Sequence, residues 1–159
     1  MIKQKGQTLI EVLLAFSASI LILSAIIIGI TTSLSNTQNT KNQNLANSYA
    51  QEGMAVVRKI KDSGWPAFFQ YQSGVIYCIG PNSTDLIPAS PSTLCNNFLV
   101  GEIFVREVIL THSSADCSGG TKTTIKVSWS DNKCSVGVPF CHKTELITCF
   151  SNIDQKIEP

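Results

Sequence analysis

A single carboxylate, Glu11, stands at the start of a long apolar segment, five residues after Gly6. The stretch from Val12 to Ile30 is interrupted only by three serines and one glycine, and no charged residue occurs between Glu11 and Lys41. A carboxylate beside a bilayer core is costly to insert, so an acidic side chain in this position is by default functional. The pattern therefore indicates that Glu11 acts by pairing with a cationic group, and that the apolar segment positions it.

The apolar segment is long enough to cross a membrane. A hydrocarbon core of about 30 Å needs roughly 20 apolar residues in a helix, and residues 12–30 supply them. Lys3 and Lys5 precede the segment, so the positive-inside rule predicts a cytoplasmic N-terminus and export of the chain beyond about residue 32. The alternatives are an ordinary signal anchor and a cleaved signal peptide. The latter would need a small-residue cleavage site after the apolar core, where the chain reads Ile-Gly-Ile-Thr-Thr-Ser-Leu.

Residues 5–12, Lys-Gly-Gln-Thr-Leu-Ile-Glu-Val, resemble the class III signal of type IV pilins and type II secretion pseudopilins. The resemblance implies that a prepilin peptidase cuts between Gly6 and Gln7 and that the new N-terminus is methylated. It also implies that Glu11, with Thr8, directs assembly into a filament. Many family members carry Phe or Met where this chain has Gln7. The implied partners are other pilin subunits, the prepilin peptidase and an assembly platform in the inner membrane.

Two later stretches are similar to bacterial minor pilins. They are the helix end from Ala50 to Trp65 and the strand-like pieces Phe-Val-Arg-Glu-Val-Ile and Ile-Lys-Val-Ser-Trp. The resemblance implies a minor pilin that serves in the assembly or at the tip of a type IV pilus, a bacterial cell-surface fimbrium. A major pilin, a pseudopilin of a secretion or DNA-uptake system, and a membrane-anchored exported domain without a filament are the alternatives.

The charge of the chain is low and nearly balanced. Charged residues make up 14% of the sequence, and the formal net charge is +1. Loss of residues 1–6 would remove two of the twelve basic side chains and leave a net charge of −1. Strong nucleic-acid binding needs a concentrated basic patch. The short cluster of Arg58, Lys59 and Lys61 is more typical of a solvated helix face, so we expect no strong nucleic-acid binding.

All six cysteines lie after the apolar segment. An even number in the exported part favours disulfides formed in an oxidising compartment. A zinc site of Cys134, Cys141, His142 and Cys149 is the alternative. Because the chain has no Cys-x-x-Cys pair and export favours oxidation, we expect no metal and no other cofactor. Neither His142 nor the other histidine, His112, lies in a recognisable catalytic pattern, so we expect no enzymatic activity.

One helix is predicted from Thr8 to about Asp62, because this stretch contains no proline. Between Thr31 and Asn47 the chain is rich in Thr, Ser and Asn, so helix propensity alone predicts a break there. Helical spacing of apolar residues then resumes and predicts a face that packs on a sheet. Gly64-Trp65-Pro66 predicts the end of the helix. The predicted packing face consists of Leu45, Ala46, Tyr49, Gly53, Met54, Val56, Val57 and Ile60.

Beyond the helix the sequence favours β-structure. A short strand is predicted at 74–79, followed by a loop rich in Pro, Ser and Asn at 80–97. Longer strands are predicted at 103–111, 121–130 and 140–150, and their order along the chain predicts an antiparallel meander. In the middle one, Thr123, Ile125, Val127 and Trp129 share one face.

The fold class expected from these elements is α+β, with a long N-terminal helix and a C-terminal antiparallel sheet of about three to four strands, as in pilins. The predicted localisation is a single-pass inner membrane protein that becomes part of a surface filament. The expected segments are a leader at 1–6, a transmembrane or filament-core helix at 7–31, a continuing helix on the sheet at 32–64, an exported disulfide-bonded β domain at 65–153 and a tail at 154–159.

The predicted meander limits which cysteines can pair. If its strands run up, down and up, Cys117 and Cys149 lie at one end, and Cys134 and Cys141 flank the turn at the other. A Cys117–Cys134 bond would have to span roughly 30 Å at about 3.3 Å per residue, whereas disulfide Cα atoms lie about 4.4–6.8 Å apart. The two cysteines that remain close the loop rich in Pro and Ser. The predicted pairs are Cys78–Cys95, Cys117–Cys149 and Cys134–Cys141.

Overall fold

The computed structural model describes residues 7–90, 95–131, 134–135, 137 and 140–151, with the backbone alone for Gln7 and Thr8. The predicted leader at 1–6 and the predicted tail at 154–159 lie outside the described residues. The chain has the predicted α+β fold, a long N-terminal helix and a C-terminal antiparallel sheet. It divides into two compact units, Met1–Asn42 and Gln43–Pro159.

Helix α1 runs from Gln7 to Asp62, so the break that propensity predicts between Thr31 and Asn47 does not occur. Hydroxyl groups in this stretch donate hydrogen bonds to carbonyl oxygens of the preceding turn. Thr37 Oγ1 lies 2.9 Å from the carbonyl oxygen of Ser33, and Thr40 Oγ1 lies 3.0 Å from that of Asn36. The hydroxyls are thus satisfied within the helix instead of competing with it for backbone groups.

Residues 43–62 of α1 belong to the second unit and pack on the sheet. Their buried residues recur at helical spacing and comprise members of the predicted packing face together with Ala50, which was not predicted. Leu45, Tyr49 and Val56 are partly buried at the margin of this face. Burial of such a face against a sheet supplies most of the stability of a helix in water. The fully buried members are Ala46, Ala50, Gly53, Met54, Val57 and Ile60.

Helix α1 ends at Asp62, as the sequence predicts, and a second short helix follows. Gly64 has a φ of 141°, a backbone conformation that glycine adopts without steric cost. Helix α2, Trp65–Phe69, begins directly after it with Pro66 in its first turn. Proline is tolerated there because the first N–H groups of a helix have no intrahelical acceptor. Pro66 therefore follows the end of one helix and helps to begin the next.

The sheet has six strands, two more than the upper bound predicted. The long strands β4, Phe104–Thr111, β5, Thr121–Trp129, and β6, His142–Phe150, form the predicted meander. The spatial order is β2-β1-β4-β5-β6, and β3 also pairs with β4. The unpredicted strands have two residues each, too short for a pattern of alternation to show. The shorter strands are β1, Ile76–Cys78, β2, Ile87–Pro88, and β3, Leu99–Val100.

Both faces of β4 are covered. Phe104 and Val108 on one face join the main core with α1, together with the predicted inward face of β5. Val105 on the other face lies in a second, smaller core with Cys78 and Cys95. The cover of both faces explains why seven of the eight residues of β4 are at least largely buried, whereas β6 alternates between half-buried and exposed residues.

Candidate functional site

The predicted processing and assembly residues lie at the start of α1. Gly6 lies outside the described residues. Gln7 and Thr8 are the first residues of the helix, and only their backbone is described. Glu11 lies one turn further along, with an exposed side chain. Among the side chains that the structure describes, none forms an ion pair or hydrogen bond with Glu11.

The apolar part of α1 presents its large side chains outward on all sides. From Leu9 to Leu34 these side chains are 48–71% exposed within the monomer. A helix that is apolar all round belongs in a membrane or in a large buried core. Within the described residues, α1 is the one helix whose length and composition suffice for crossing a membrane.

Serine hydroxyls in the apolar part of α1 are satisfied internally. Ser17 Oγ donates to the carbonyl oxygen of Leu14 at 2.9 Å, and Ser19 Oγ to that of Ala15 at 2.8 Å. Ser24 Oγ donates to the carbonyl oxygen of Ile20 at 2.8 Å. An unsatisfied polar group in hydrocarbon costs several kcal/mol. These bonds therefore reduce the cost of placing three serines in an apolar environment, and Glu11 has no equivalent bond in the described residues.

A buried arginine fixes the second part of α1 to the sheet. Arg106, on the inward face of β4, is 3% exposed. Its Nη1 donates to the carbonyl oxygen of Tyr49 at 2.9 Å, and its Nη2 to that of Gly80 at 3.0 Å. Its Nε donates to the carbonyl oxygen of Ile79 at 3.3 Å. The guanidinium thus joins α1 to the backbone that follows β1.

The charge of Arg106 is partly compensated by Glu52. Burial lowers the pKa of Arg106 from its ordinary value, and the carboxylate of Glu52, 3.5 Å from Nη1, opposes that shift. Glu52 itself is largely exposed. The sequence places a charged residue, Arg106, between the inward-facing Phe104 and Val108 of one predicted strand. This pattern indicates a buried arginine, which the sequence analysis did not predict.

Gly53 allows α1 to approach the sheet closely. A Cβ at this position would lie 2.8 Å from Arg106 Cδ and 3.3 Å from Ile125 Cδ1. The first separation is shorter than any ordinary van der Waals contact, and Arg106 is held by the three hydrogen bonds just described. The glycine is therefore required by packing, although Gly lowers helix propensity by about 1 kcal/mol relative to Ala.

The six cysteines form three disulfides with the predicted pairing. The separation between paired Cα atoms is 5.3 Å in Cys78–Cys95, 5.4 Å in Cys117–Cys149 and 5.5 Å in Cys134–Cys141. Cys78 and Cys95 are fully buried in the second core. The Cys117–Cys149 bond joins the 3₁₀ turn Ala115–Cys117 to the end of β6. The Cys117–Cys149 bond thus fixes the turn between β4 and β5 to the edge strand β6.

The Cys₃His zinc set considered from the sequence is not assembled. His142 and Cys149 lie at opposite ends of β6, paired with Trp129 and Lys122 of β5 respectively. Seven residues of strand separate them, or about 23 Å at 3.3 Å per residue. A carboxylate that the sequence reasoning missed, Asp131, instead lies beside the first three members of the set. One donor atom each from Asp131, Cys134, Cys141 and His142 lies within 4.8 Å of the others.

An aromatic cluster surrounds His112 at the other end of the sheet. Its ring stacks on Phe69 with centroids 4.5 Å apart. Nδ1 lies 2.9 Å from Thr121 Oγ1, and Nε2 lies 2.8 Å from the carbonyl oxygen of Tyr71. Both ring nitrogens thus have protein partners, which indicates a packing role and is consistent with the lack of a catalytic pattern around this histidine.

No protein-family model, curated protein or solved structure matches this chain. The likeness to pilins therefore depends on residues 5–12, on the helix end and strand pieces of the sequence, and on the order of the elements.

Proposed function

We propose that this chain is a structural subunit of a type IV pilus or a related filament, most similar to a minor pilin that serves in assembly or at the tip. The observation that carries the proposal is the position of Glu11. It is an exposed carboxylate at the start of an apolar helix, without a partner among the described side chains. A buried charge without a partner is strongly unfavourable, so the partner must come from outside the described chain.

The N-terminal amine of a neighbouring subunit fits this requirement. Cleavage after Gly6 would create a cationic group at Gln7, one helical turn from Glu11. In a bundle of such helices, the amine of one subunit pairs with Glu11 of the next and fixes their axial register. The large apolar side chains of α1, which are exposed in the monomer, are then covered by other helices or by lipid.

The second unit supplies what an exported subunit needs. Three disulfides and the buried Arg106 anchor hold a small sheet on the end of α1. Structural disulfides suit a small domain in an oxidising compartment outside the cytoplasm. In this proposal the N-terminus stays in the cytoplasm until processing, and the sheet lies outside the membrane.

Processing by a prepilin peptidase tests the proposal. The chain is produced in cells with and without a prepilin peptidase, and the intact mass of the membrane-extracted protein is measured. We expect the mass of residues 7–159, with or without one added methyl group, in the presence of the peptidase only. Gly6→Leu should abolish processing, whereas the control Gly29→Leu, in α1, should leave it intact. A full-length species beginning at Met1 as the sole product in the presence of peptidase would refute the proposal.

A membrane-anchored exported domain without a filament is the competing function. It requires no cut after Gly6 and no register between subunits. Processing at Gly6 together with recovery of the chain in sheared filaments would exclude it.

A further inference from the structure

The end of the sheet where β6 begins carries four side chains with metal-binding donor atoms. Asp131 and Cys134 follow β5, Cys141 directly precedes β6, and His142 is the first residue of β6. Their donor atoms lie within 4.8 Å of one another. Cys134 and Cys141 are joined by a disulfide, so their sulfurs can bind a metal only after that bond is reduced.

The imidazole of His142 is directed into this cluster. Its Nε2 lies 3.0 Å from Asp131 Oδ2. The atom is buried and, although this approach is short, it forms no well-aligned hydrogen bond within the described residues. The ring stacks on Trp129, the residue opposite His142 in the neighbouring strand, with centroids 5.4 Å apart. Nε2 and the carboxylate thus lie nearly as close as two ligand atoms of one tetrahedral zinc, about 3.3 Å apart for Zn–N and Zn–O distances of about 2.0 Å.

Two hydrogen bonds from backbone N–H groups connect Asp131 and Cys134. The N–H of Asp131 donates to Cys134 Sγ at 3.5 Å, and the N–H of Cys134 donates to the carbonyl oxygen of Asp131 at 3.2 Å. An N–H donor to sulfur stabilises the thiolate that binds metal, in the way that outer hydrogen bonds tune ligands in metal sites. These bonds thus hold the proposed ligands Asp131 and Cys134 close to each other.

We propose that, when the Cys134–Cys141 bond is reduced, Asp131, Cys134, Cys141 and His142 bind one Zn²⁺. Two thiolates, one imidazole and one carboxylate make a complete tetrahedral zinc set. Two sulfurs bound to one zinc lie about 3.8 Å apart, given Zn–S distances of about 2.3 Å. The Cα atoms, 5.5 Å apart in the disulfide, need little movement to allow this. The turn between β5 and β6 is then closed by a disulfide in the oxidised chain and by zinc in the reduced chain.

Reduction of the Cys134–Cys141 bond takes two electrons from an external reductant. A phosphine takes up the oxygen of one water and becomes a phosphine oxide, while the disulfide gains two electrons and two protons and becomes two thiols. Zinc binding then releases the two thiol protons. Cys141 is exposed, so a reductant reaches this bond, and Cys149 of the Cys117–Cys149 bond is exposed as well, whereas Cys78 and Cys95 are fully buried.

Zinc titration of the full chain in detergent micelles tests the site. Protein is reduced with a phosphine, which brings no competing thiol, and Zn²⁺ is then titrated against a chromophoric chelator. We expect one tightly bound Zn²⁺ per reduced wild-type chain and none in the oxidised chain. Reduced Cys134→Ser/Cys141→Ser should lack this zinc. Binding of Co²⁺ in place of Zn²⁺ should give the absorption of a tetrahedral thiolate complex.

Single variants at Asp131 and His142 distinguish zinc binding at the proposed site from adventitious zinc binding to free thiols. Asp131→Asn and His142→Gln keep the disulfide, so their fold is first verified in the oxidised state by circular dichroism. Each should weaken zinc binding at least about tenfold, a loss typical of a damaged metal site. Asp62→Asn, at an exposed carboxylate on α1, should have no effect. Equal zinc binding by wild type and the double serine variant would overturn the proposal, as would undiminished binding in either ligand variant.

Discussion

Arg106 Nη1 lies 2.9 Å from the backbone carbonyl oxygen of Tyr49, so a side chain of β4 binds the main chain of α1. Two further donors of the same guanidinium bind the carbonyl oxygens of Ile79 and Gly80. One side chain therefore joins α1, the segment after β1 and β4. The hydrogen bonds outnumber the single ion pair with Glu52, which is largely exposed.

Replacement of Arg106 should strongly destabilise the second unit. Arg106→Met keeps much of the apolar stem but leaves three carbonyl acceptors without their donor. We expect a loss of about 3 kcal/mol in the free energy of unfolding, the scale for removing one partner of a buried charged network. The measurement is denaturant unfolding of the full chain in micelles, followed by the fluorescence of Trp65 and Trp129.

Two controls separate the hydrogen bonds of Arg106 from its charge. Arg58→Met removes an exposed arginine from α1 and should change stability by less than about 0.5 kcal/mol. Glu52→Gln removes the ion pair and should cost less than about 1 kcal/mol, because the carboxylate is exposed. If Glu52→Gln were as damaging as Arg106→Met, the ion pair and not the backbone contacts would be the source of the stability.

Gly53→Ala should destabilise the chain although alanine favours helix. The added Cβ would meet Arg106 Cδ at 2.8 Å, and forced repacking of a core typically costs about 1–3 kcal/mol. Gly29 lies in the same helix with nothing within 4 Å of an added Cβ. Gly29→Ala should therefore leave the unfolding of the sheet unchanged. Equal unfolding midpoints for the two variants would contradict the close approach of α1 to the sheet.

The sequence predicted the elements that carry strong periodicity or a clear constraint. Strand β5 was predicted from alternation and β4 from its β-branched, apolar residues, and the meander followed from the order of the three long strands. The disulfide pairs followed from the meander, because strand length excludes Cys117–Cys134. Strands β2 and β3 have two residues each, and so little sequence cannot show a period. The single helix predicted from Thr8 to about Asp62 is confirmed, also across Thr31 to Asn47, where propensity alone is unfavourable.

The candidate site residues were less predictable than the fold. The roles of Arg106 and Asp131 depend on which distant backbone or side-chain groups lie opposite them, and a single sequence does not contain that information. Arg106 finds Tyr49 across 57 positions of sequence. His142 was named from the sequence in a set with Cys149, and the register of β6 places those two residues at opposite ends of one strand.

Tyr71 should titrate late and make stability fall at high pH. Burial, with the hydrogen bond and charge of Asp85, raises the pKa of Tyr71 to about 12 from 10.0. Between these values the folded chain keeps a proton that the unfolded chain releases, so stability is fully present below about pH 10 and declines toward pH 12. The measurement is phenolate absorbance against pH, with Tyr71→Phe identifying the group. Asp85→Asn should lower the pKa only in part, since burial, the largest single cause, remains.

Loss of individual disulfides should destabilise the chain to different extents. The chain-entropy relation gives about 3 kcal/mol for the 17-residue separation of Cys78–Cys95 and about 2 kcal/mol for the 7-residue separation of Cys134–Cys141. Burial of the first pair in the second core adds to its cost. Double alanine variants of each pair, compared by thermal unfolding, should show the larger loss for Cys78 and Cys95. The reverse order would show that the second core contributes little.

Neutralisation of Glu11 should impair filament incorporation without impairing membrane insertion. Glu11→Gln keeps the size of the side chain and removes the charge, and Glu11→Leu also removes the cost of inserting a carboxylate. Removing one partner of a buried pair costs about 3–5 kcal/mol, and each 1.4 kcal/mol is a factor of ten. We therefore expect at least a tenfold drop in the tagged chain recovered from sheared filaments, relative to the membrane pool.

Glu52→Gln, at an exposed carboxylate of the same helix, should be incorporated normally. Equal incorporation of Glu11→Gln and wild type would show that the carboxylate does not set the register between subunits.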